Sequence, residues 1–420
     1  INICHYIFSS SHKPSKIGHN KIMQTVCGNP FFVDNVKKLK QYPYLDKDLC
    51  CEILIVGGGI DGAILNFHLS QKHDVALVTK SRIGFGASSV ATALLEWQLD
   101  DFCDNLKKEL TNAQVCNIYN MGLSSIEKIE KFIKKHGNSC HFQKKSAFLF
   151  SNSIFQKKAV EKEHEFRKQN GFDSTLFTKQ NNPYSFPIQA GIFSQNGGAE
   201  FNPYLFTKQM IDSSKNQNKI FENTEIIHVE NTEEKIVATS AFGEKIYCDK
   251  IIYATGFDHT LYSQKSLCDL FVSYSIIISV PEDFSWFDFS LMQDNLSPYH
   301  YFRFIEKGLI IFGGEDTPYH GTISKTKAER KYKKLEKTFL ALFPELGGKI
   351  QITHKFCGLF GQTKNNLGLI GRLEKENHLL FSSSGANGII NAFCGAEIIE
   401  DILSGKKHQF EDIFSPLREK

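Results

Sequence analysis

The stretch from Glu52 to Gly62, Glu-Ile-Leu-Ile-Val-Gly-Gly-Gly-Ile-Asp-Gly, limits what this chain can fold into more than any other. Glu52 to Val56 is a short apolar run rich in β-branched residues, as in a strand buried on both faces of a parallel sheet. Gly57, Gly59 and Gly62 follow in G-x-G-x-x-G register. Ile60, Ile64 and Phe67 then recur at i, i+4 and i+7, the apolar stripe of a helix. Strand, glycine turn and helix in that order make a dinucleotide-binding unit. Gly57 permits the tight turn, and Gly59 lets a pyrophosphate approach the backbone. Gly62 lets the helix pack close on the strand, and the phosphates sit at the helix N-terminus beside Ile60.

Two positions depart from that pattern. A carboxylate about 20 residues after the turn normally grips a ribose diol. Here the second strand, His73 to Val78, ends in Thr79-Lys80. Thr79 offers a single hydrogen bond and Lys80 reaches a phosphate, but neither is bidentate. Asp61 suits the helix dipole, yet it would repel a pyrophosphate if it pointed inward, so it is expected to point away.

The bulk numbers exclude several classes. With 420 residues the chain is long enough for two or three domains or one composite one. Lys+Arg is 49 and Asp+Glu 46, a balance that leaves no nucleic-acid footprint. The basic helix expected over 324–343 reads as a solvated face. Eleven cysteines are scattered without a C-x-x-C pair, so neither a zinc site nor a disulfide framework is expected. That usage suits a reducing compartment, and a cytoplasmic location is expected. No apolar run approaches the roughly 20 residues of a membrane span. Residues 1–22 are polar and read as a disordered leader, with Met23 a candidate start; a cleaved targeting segment and an upstream leader are both open.

Further along, Lys245 to Tyr253 reads as another buried strand ending in Ala254-Thr255-Gly256, small residues that let backbone pass under a cofactor. Because 57–62 and 251–256 lie far apart, the nucleotide domain is discontinuous. Its pieces are placed at 23–100, 201–260 and 346–420. Helical and substrate-domain pieces are inserted at 101–200 and 261–345. The strands at 272–280, 299–304 and 308–312 alternate and read as antiparallel neighbours, whereas 171–200 reads as turn-rich. The fold class is an α/β composite: a Rossmann-like domain carrying an inserted antiparallel-sheet domain.

The loop Arg82-Ile-Gly-Phe-Gly-Ala-Ser-Ser-Val-Ala-Thr-Ala-Leu-Leu95 makes a resemblance specific. It resembles the FAD-contacting segment of the D-amino-acid oxidase (DAO) family, which includes glycine and sarcosine oxidases. Ser88, Ser89 and Thr92 offer hydroxyls, and Gly86 and Ala87 offer N–H groups that satisfy phosphates without bulk. Four further segments resemble the family in the same order. They are 199–213, Tyr299–Asp316, 356–371 and Gly385-Ala-Asn-Gly-Ile389. In 356–371 the family's usual Asp, Gly and Pro are Asn365, Asn366 and Gly368.

The resemblance implies a flavoprotein that oxidises the C–N bond of an amino acid or secondary amine, hydride passing to flavin N5. It implies non-covalent FAD held by Gly57, Gly59, Ile60, Gly62, Thr79, Lys80, Gly86, Ala87, Ser88, Ser89, Thr92, Ala93 and Leu94. It carries the adenine contact to Ile226 and extends the site to Thr255, Gly256, Gly385, Asn387, Gly388 and Ile389. A relative's carboxylate-clamping arginine maps to Arg303, and Tyr301 or His300 is a candidate to assist proton removal. Cys357 falls one position off the register of a covalent flavin link and reads as a packed thiol. No metal is implied, and the amine and the electron acceptor stay open. So does a diverged flavoprotein with a binding or scaffold role. A nicotinamide enzyme is disfavoured by the 84–95 loop and the Asn387-Gly388 helix start.

Overall fold

The computed structural model describes residues 25–34, 36, 39–98, 102–263, 265–363, 365–383, 385 and 387–419. The expected leader at 1–22, Met23 and, within the late motif, Ala386 lie outside the described residues. Among those described, the strands form two sheets, of ten and eight strands.

The eight-stranded sheet is built around Leu49–Val56. It pairs in parallel with Val75–Val78 on one side and Lys245–Tyr253 on the other. His378–Ser382 extends the parallel core beyond Lys245–Tyr253. Ile53, Leu54 and Ile55 are fully buried, as a strand covered on both faces requires. Ile53 and Ile55 pack under the helices Ile60–Leu69, Pro203–Asp212 and Gly388–Leu403 through Ala63, Ile64, Met210 and Ile398. Leu54 and Val56 face the antiparallel strands Ile226–Asn231 and Ile236–Ser240. Nucleotide-type topology thus assembles from three separated stretches of chain.

The ten-stranded sheet centres on Asp269–Ser279, paired antiparallel with Leu309–Pro318 and Gln351–Gln362. His300–Glu306 and Leu291–Asp294 continue it, and Leu291–Asp294 joins Gln143–Ser151 in parallel. One face packs the helix Lys325–Leu342 through Tyr332, Leu335 and Phe339 against Ile276, Phe302 and Phe312. Residues alternate across a strand, so Tyr301, between His300 and Phe302, points to the other face. That face looks onto the nucleotide-type sheet.

The structure differs from the sequence reading in the placing of four strands. Gln351–Gln362 was expected in the third nucleotide piece but belongs to the large sheet, as do Val26–Gly28 and Leu94–Glu96 of the first piece. Chain proximity to a motif does not decide sheet membership; pairing does. Ala190–Glu200, read as turn, is an eleven-residue strand. Its Gly198 lets Leu94–Glu96 approach so closely that a Cβ would lie 2.4 Å from the Leu95 carbonyl oxygen. No helix among the described residues is long and apolar enough to cross a membrane.

Candidate active site

One cavity of about 490 Å³ runs between the two sheets. Its lining gathers segments from both ends of the chain. Of the residues expected at the cofactor, all but Gly62 and Ser89 line it. Gly62 instead packs the helix: a Cβ there would lie 1.9 Å from the Gly57 carbonyl oxygen. Ser89 is buried and donates to the Gly86 carbonyl at 2.8 Å, which shapes the loop. Gly57 has φ +124° and sits where a Cβ would meet the Ala254 carbonyl at 2.1 Å, so strand end and Ala254-Thr255-Gly256 pass in backbone contact.

Two helix N-termini open on the cavity. Gly59 and Asn387 are their N-caps, and neither makes a side-chain cap hydrogen bond. Their first-turn N–H groups therefore present positive potential to a ligand. Ser88 Oγ accepts from the Ile60 N–H at 2.9 Å, which leaves the hydroxyl proton for a ligand. Asp61 turns toward the second terminus, where it accepts from the Ser383 N–H at 3.0 Å and from the Ser383 hydroxyl. Burial pushes its carboxyl up to about 6, against the pull of the two Ser383 bonds. Asp61 thus links the two helix openings, a role its sequence position did not reveal.

The cavity fits a long, jointed nucleotide cofactor. A Cβ on Gly59 would meet only Ser88 Oγ at 3.4 Å, and Cβ atoms on Gly86 or Gly256 would meet nothing within 4 Å. Ligand can therefore lie directly on backbone at three separate points. Two of the three substituted positions shape the local turn. Asn366 stands at φ +56°, the left-handed conformation that its glycine counterpart supplies freely. Asn365 Oδ1 accepts from the Leu367 N–H at 3.2 Å and from Arg418 Nη2 at 3.1 Å.

Arg303 is a correction. It lies on the same strand face as Tyr301, but it does not line the cavity and is 2% exposed. Nε donates to the Thr92 carbonyl at 2.9 Å, Nη1 to Glu200 and the Phe304 carbonyl at 3.2 Å, and Nη2 to the Phe201 carbonyl at 3.1 Å. Each guanidinium nitrogen is engaged, and Glu200 already balances the charge. The fork fastens the loop of Thr92 to the large sheet and is not offered to a ligand carboxylate. His300 is also displaced: it faces the helix side, held by Asp294 at 2.8 Å and Glu315 at 3.3 Å.

Tyr301 does line the cavity. Its hydroxyl shares a hydrogen bond with Ser273 Oγ at 2.8 Å, and its ring lies 5.8 Å from that of Tyr299. Ser275 and Gln293 complete this neutral polar wall. Sequence reasoning missed Ser273 and Gln293, because a single serine or glutamine in a strand carries no pattern, and gave Tyr299 no role beyond opening the segment that resembles the family. Behind the wall burial pushes the Asp316 carboxyl up to about 6. Cys357 is buried outside the cavity although Phe356 and Gly358 line it. His228 is exposed, near Glu230. Among the described residues, no group of three or more His, Cys, Asp or Glu could hold a metal ion.

Comparison with known proteins bears on this arrangement. Residues 52–402 match the family profile of the DAO FAD-dependent oxidoreductases. Gamma-glutamylputrescine oxidoreductase of Escherichia coli is 21% identical over 407 residues, 91% of this chain and 90% of that protein. The crystal structure of glycine oxidase from Geobacillus kaustophilus superposes with a TM-score of 0.73 at 16% identity, over 87% of this chain and 98% of that one. L-proline dehydrogenase from P. horikoshii gives 0.74 at 18%, over 88% and 98%. With a profile match across most of its length and a cavity built from both helix openings, the chain belongs to the DAO family of FAD-dependent oxidoreductases.

Proposed function

We propose that this protein oxidises the C–N bond of an amino acid or secondary amine, with hydride passing from the carbon to flavin N5. FAD, when bound, supplies the hydride acceptor. Gly57, Gly59 and Ser88 would hold its pyrophosphate at the first helix opening. Asn387 and Gly388 would set the second helix dipole against the ring, where it favours negative charge. The observation that carries the reading is that the same cavity continues from this cradle to the wall of Ser273, Gln293, Tyr299 and Tyr301.

That wall gives the substrate its orientation. The Tyr301 hydroxyl, fixed by Ser273, is set to hydrogen-bond a substrate heteroatom and so aim its C–H bond. On the sheet side the Tyr301 ring lies directly over Gly313, where a Cβ would come within 2.4 Å of it. No carboxylate clamp is assigned to Arg303, since its hydrogen bonds are made within the protein.

The test is reduction of the FAD-loaded protein under anaerobic conditions by a panel of D-amino acids, glycine, sarcosine, proline and γ-glutamylated diamines. Bleaching of the flavin absorbance by at least one amine is expected. A loaded protein that no amine reduces, but that dithionite does, would remove the amine reading.

A further inference from the structure

The carboxylate missing after the second strand has a replacement from a distant part of the chain. In a dinucleotide-binding unit the ribose lies at the end of that strand. Here the strand Val75–Val78 runs into Thr79, Lys80, Ser81 and Arg82, which all line the cavity without an acid among them. Opposite them, in the turn after Lys245–Tyr253, Asp258 lines the same end. Lys80 Nζ donates to Asp258 Oδ2 at 3.3 Å. Oδ1 accepts from the Thr260 N–H at 3.2 Å and its hydroxyl at 2.7 Å. The Thr255 hydroxyl donates to the Asp258 carbonyl at 2.5 Å and pins the turn.

We propose that Asp258 is the residue that reads the ribose hydroxyls of the adenosine half of FAD, oriented by Thr260 and clasped by Lys80. This rests on the assignment of FAD to the cavity. The chemistry suits the role. Burial opposes ionisation of Asp258, but the Thr260 bonds and Lys80 outweigh it and hold the carboxyl below its ordinary value. An ionised carboxylate is a pure acceptor with about four lone-pair sites, and Lys80 and Thr260 take three of them, so Oδ2 keeps one for a ribose hydroxyl. Both side chains keep solvent access, 52% for Lys80 and 34% for Asp258, so the clasp stands at the mouth of the cavity where the ribose end would enter. Glu225 also lines this end and is the competing acid. It is exposed, beside Ile226 at the start of the strand Ile226–Asn231. Asp258 is the one of the two tied to Lys80, in the acid-free segment that follows the second strand.

The experiment is titration of apoprotein with FAD, with FAD carrying 2′-deoxyadenosine, and with FMN, followed by flavin fluorescence. Wild type should bind the deoxy analogue about 10-fold more weakly than FAD, the size of one hydrogen bond to a charged group. Asp258→Asn should lose about 10- to 100-fold for FAD, lose its preference for FAD over the analogue, and bind FMN as wild type does. Glu225→Gln should change none of the three. Unchanged FAD binding in D258N, an equal loss for FAD and FMN, or loss of the ribose preference in E225Q instead would overturn the proposal. A folded wild-type protein that binds none of the three flavins would overturn the FAD assignment itself.

Discussion

Arg303 shows how a side chain's chemistry can be right and its role still be decided elsewhere. A planar fork matches a carboxylate, and Arg303 does meet one, but it is Glu200 at 3.2 Å inside the protein. Burial lowers its pKa, and the Glu200 charge works against that pull. Lys145 stands on the far side of Glu200 at 3.2 Å, so the three form one charged cluster in which Arg303 and Glu200 are buried. Removing one partner from such a buried pair costs about 3–5 kcal/mol, because the other charge is left without compensation. Arg303→Ala should therefore lower the denaturation midpoint of the apoprotein sharply. The folded fraction should keep its KM for whichever amine reduces the flavin. A stable R303A protein with a selectively raised KM for carboxylate substrates would restore the clamp.

At the scale of elements, the cavity depends on how close one helix comes to one strand. Gly59 and Gly62 belong to the same motif but answer to different neighbours. A methyl on Gly62 would lie 1.9 Å from the backbone oxygen of Gly57, so helix and turn must separate. A methyl on Gly59 would meet only the Ser88 hydroxyl at 3.4 Å, and it would project into the space proposed for the pyrophosphate. Gly62→Ala should thus lower apoprotein stability by a few kcal/mol, in the range of overpacked cores. Gly59→Ala should melt within about a degree of wild type and bind FAD at least 10-fold more weakly. Thermal melts with and without FAD separate the two; equal melting losses would refute the division of roles.

The whole molecule is two sheets with a ligand space between them, and the two tryptophans lie in different hydrophobic cores. Trp97 packs in the core beneath the nucleotide-type sheet, and Trp286 in the core between the large sheet and its helix. FAD that touches both walls stabilises both, by about 2.7 kcal/mol at a free concentration 100 times Kd. Single-tryptophan variants, Trp97→Phe and Trp286→Phe, should report melting transitions that FAD raises equally. A transition at Trp286 that ignores FAD would show that the large sheet does not close over the cofactor.

Local signals carried the nucleotide half of the protein. Strand, glycine turn and helix are contiguous, their periodicities differ, and the glycines mark where backbone must pass backbone. Of the residues named there from sequence, Gly57, Gly59, Ile60, Thr79, Lys80, Gly86, Ala87, Ser88, Thr92, Ala93, Leu94, Gly385, Asn387, Gly388 and Ile389 line one cavity, while Gly62 and Ser89 do not. Pairing between distant segments has no local signature. Sequence alone did not place Gln351–Gln362 in the large sheet, did not show that Asp61 would bind Ser383, and did not bring Asp258 across to Lys80. It also did not distinguish a fork that faces ligand from one that faces Glu200, because strand alternation gives the side of the sheet and only the covering loop at Thr92 decides what lies there. Composition and spacing determined that a dinucleotide would be held; the approach of two sheets determined which side chains are left to meet it.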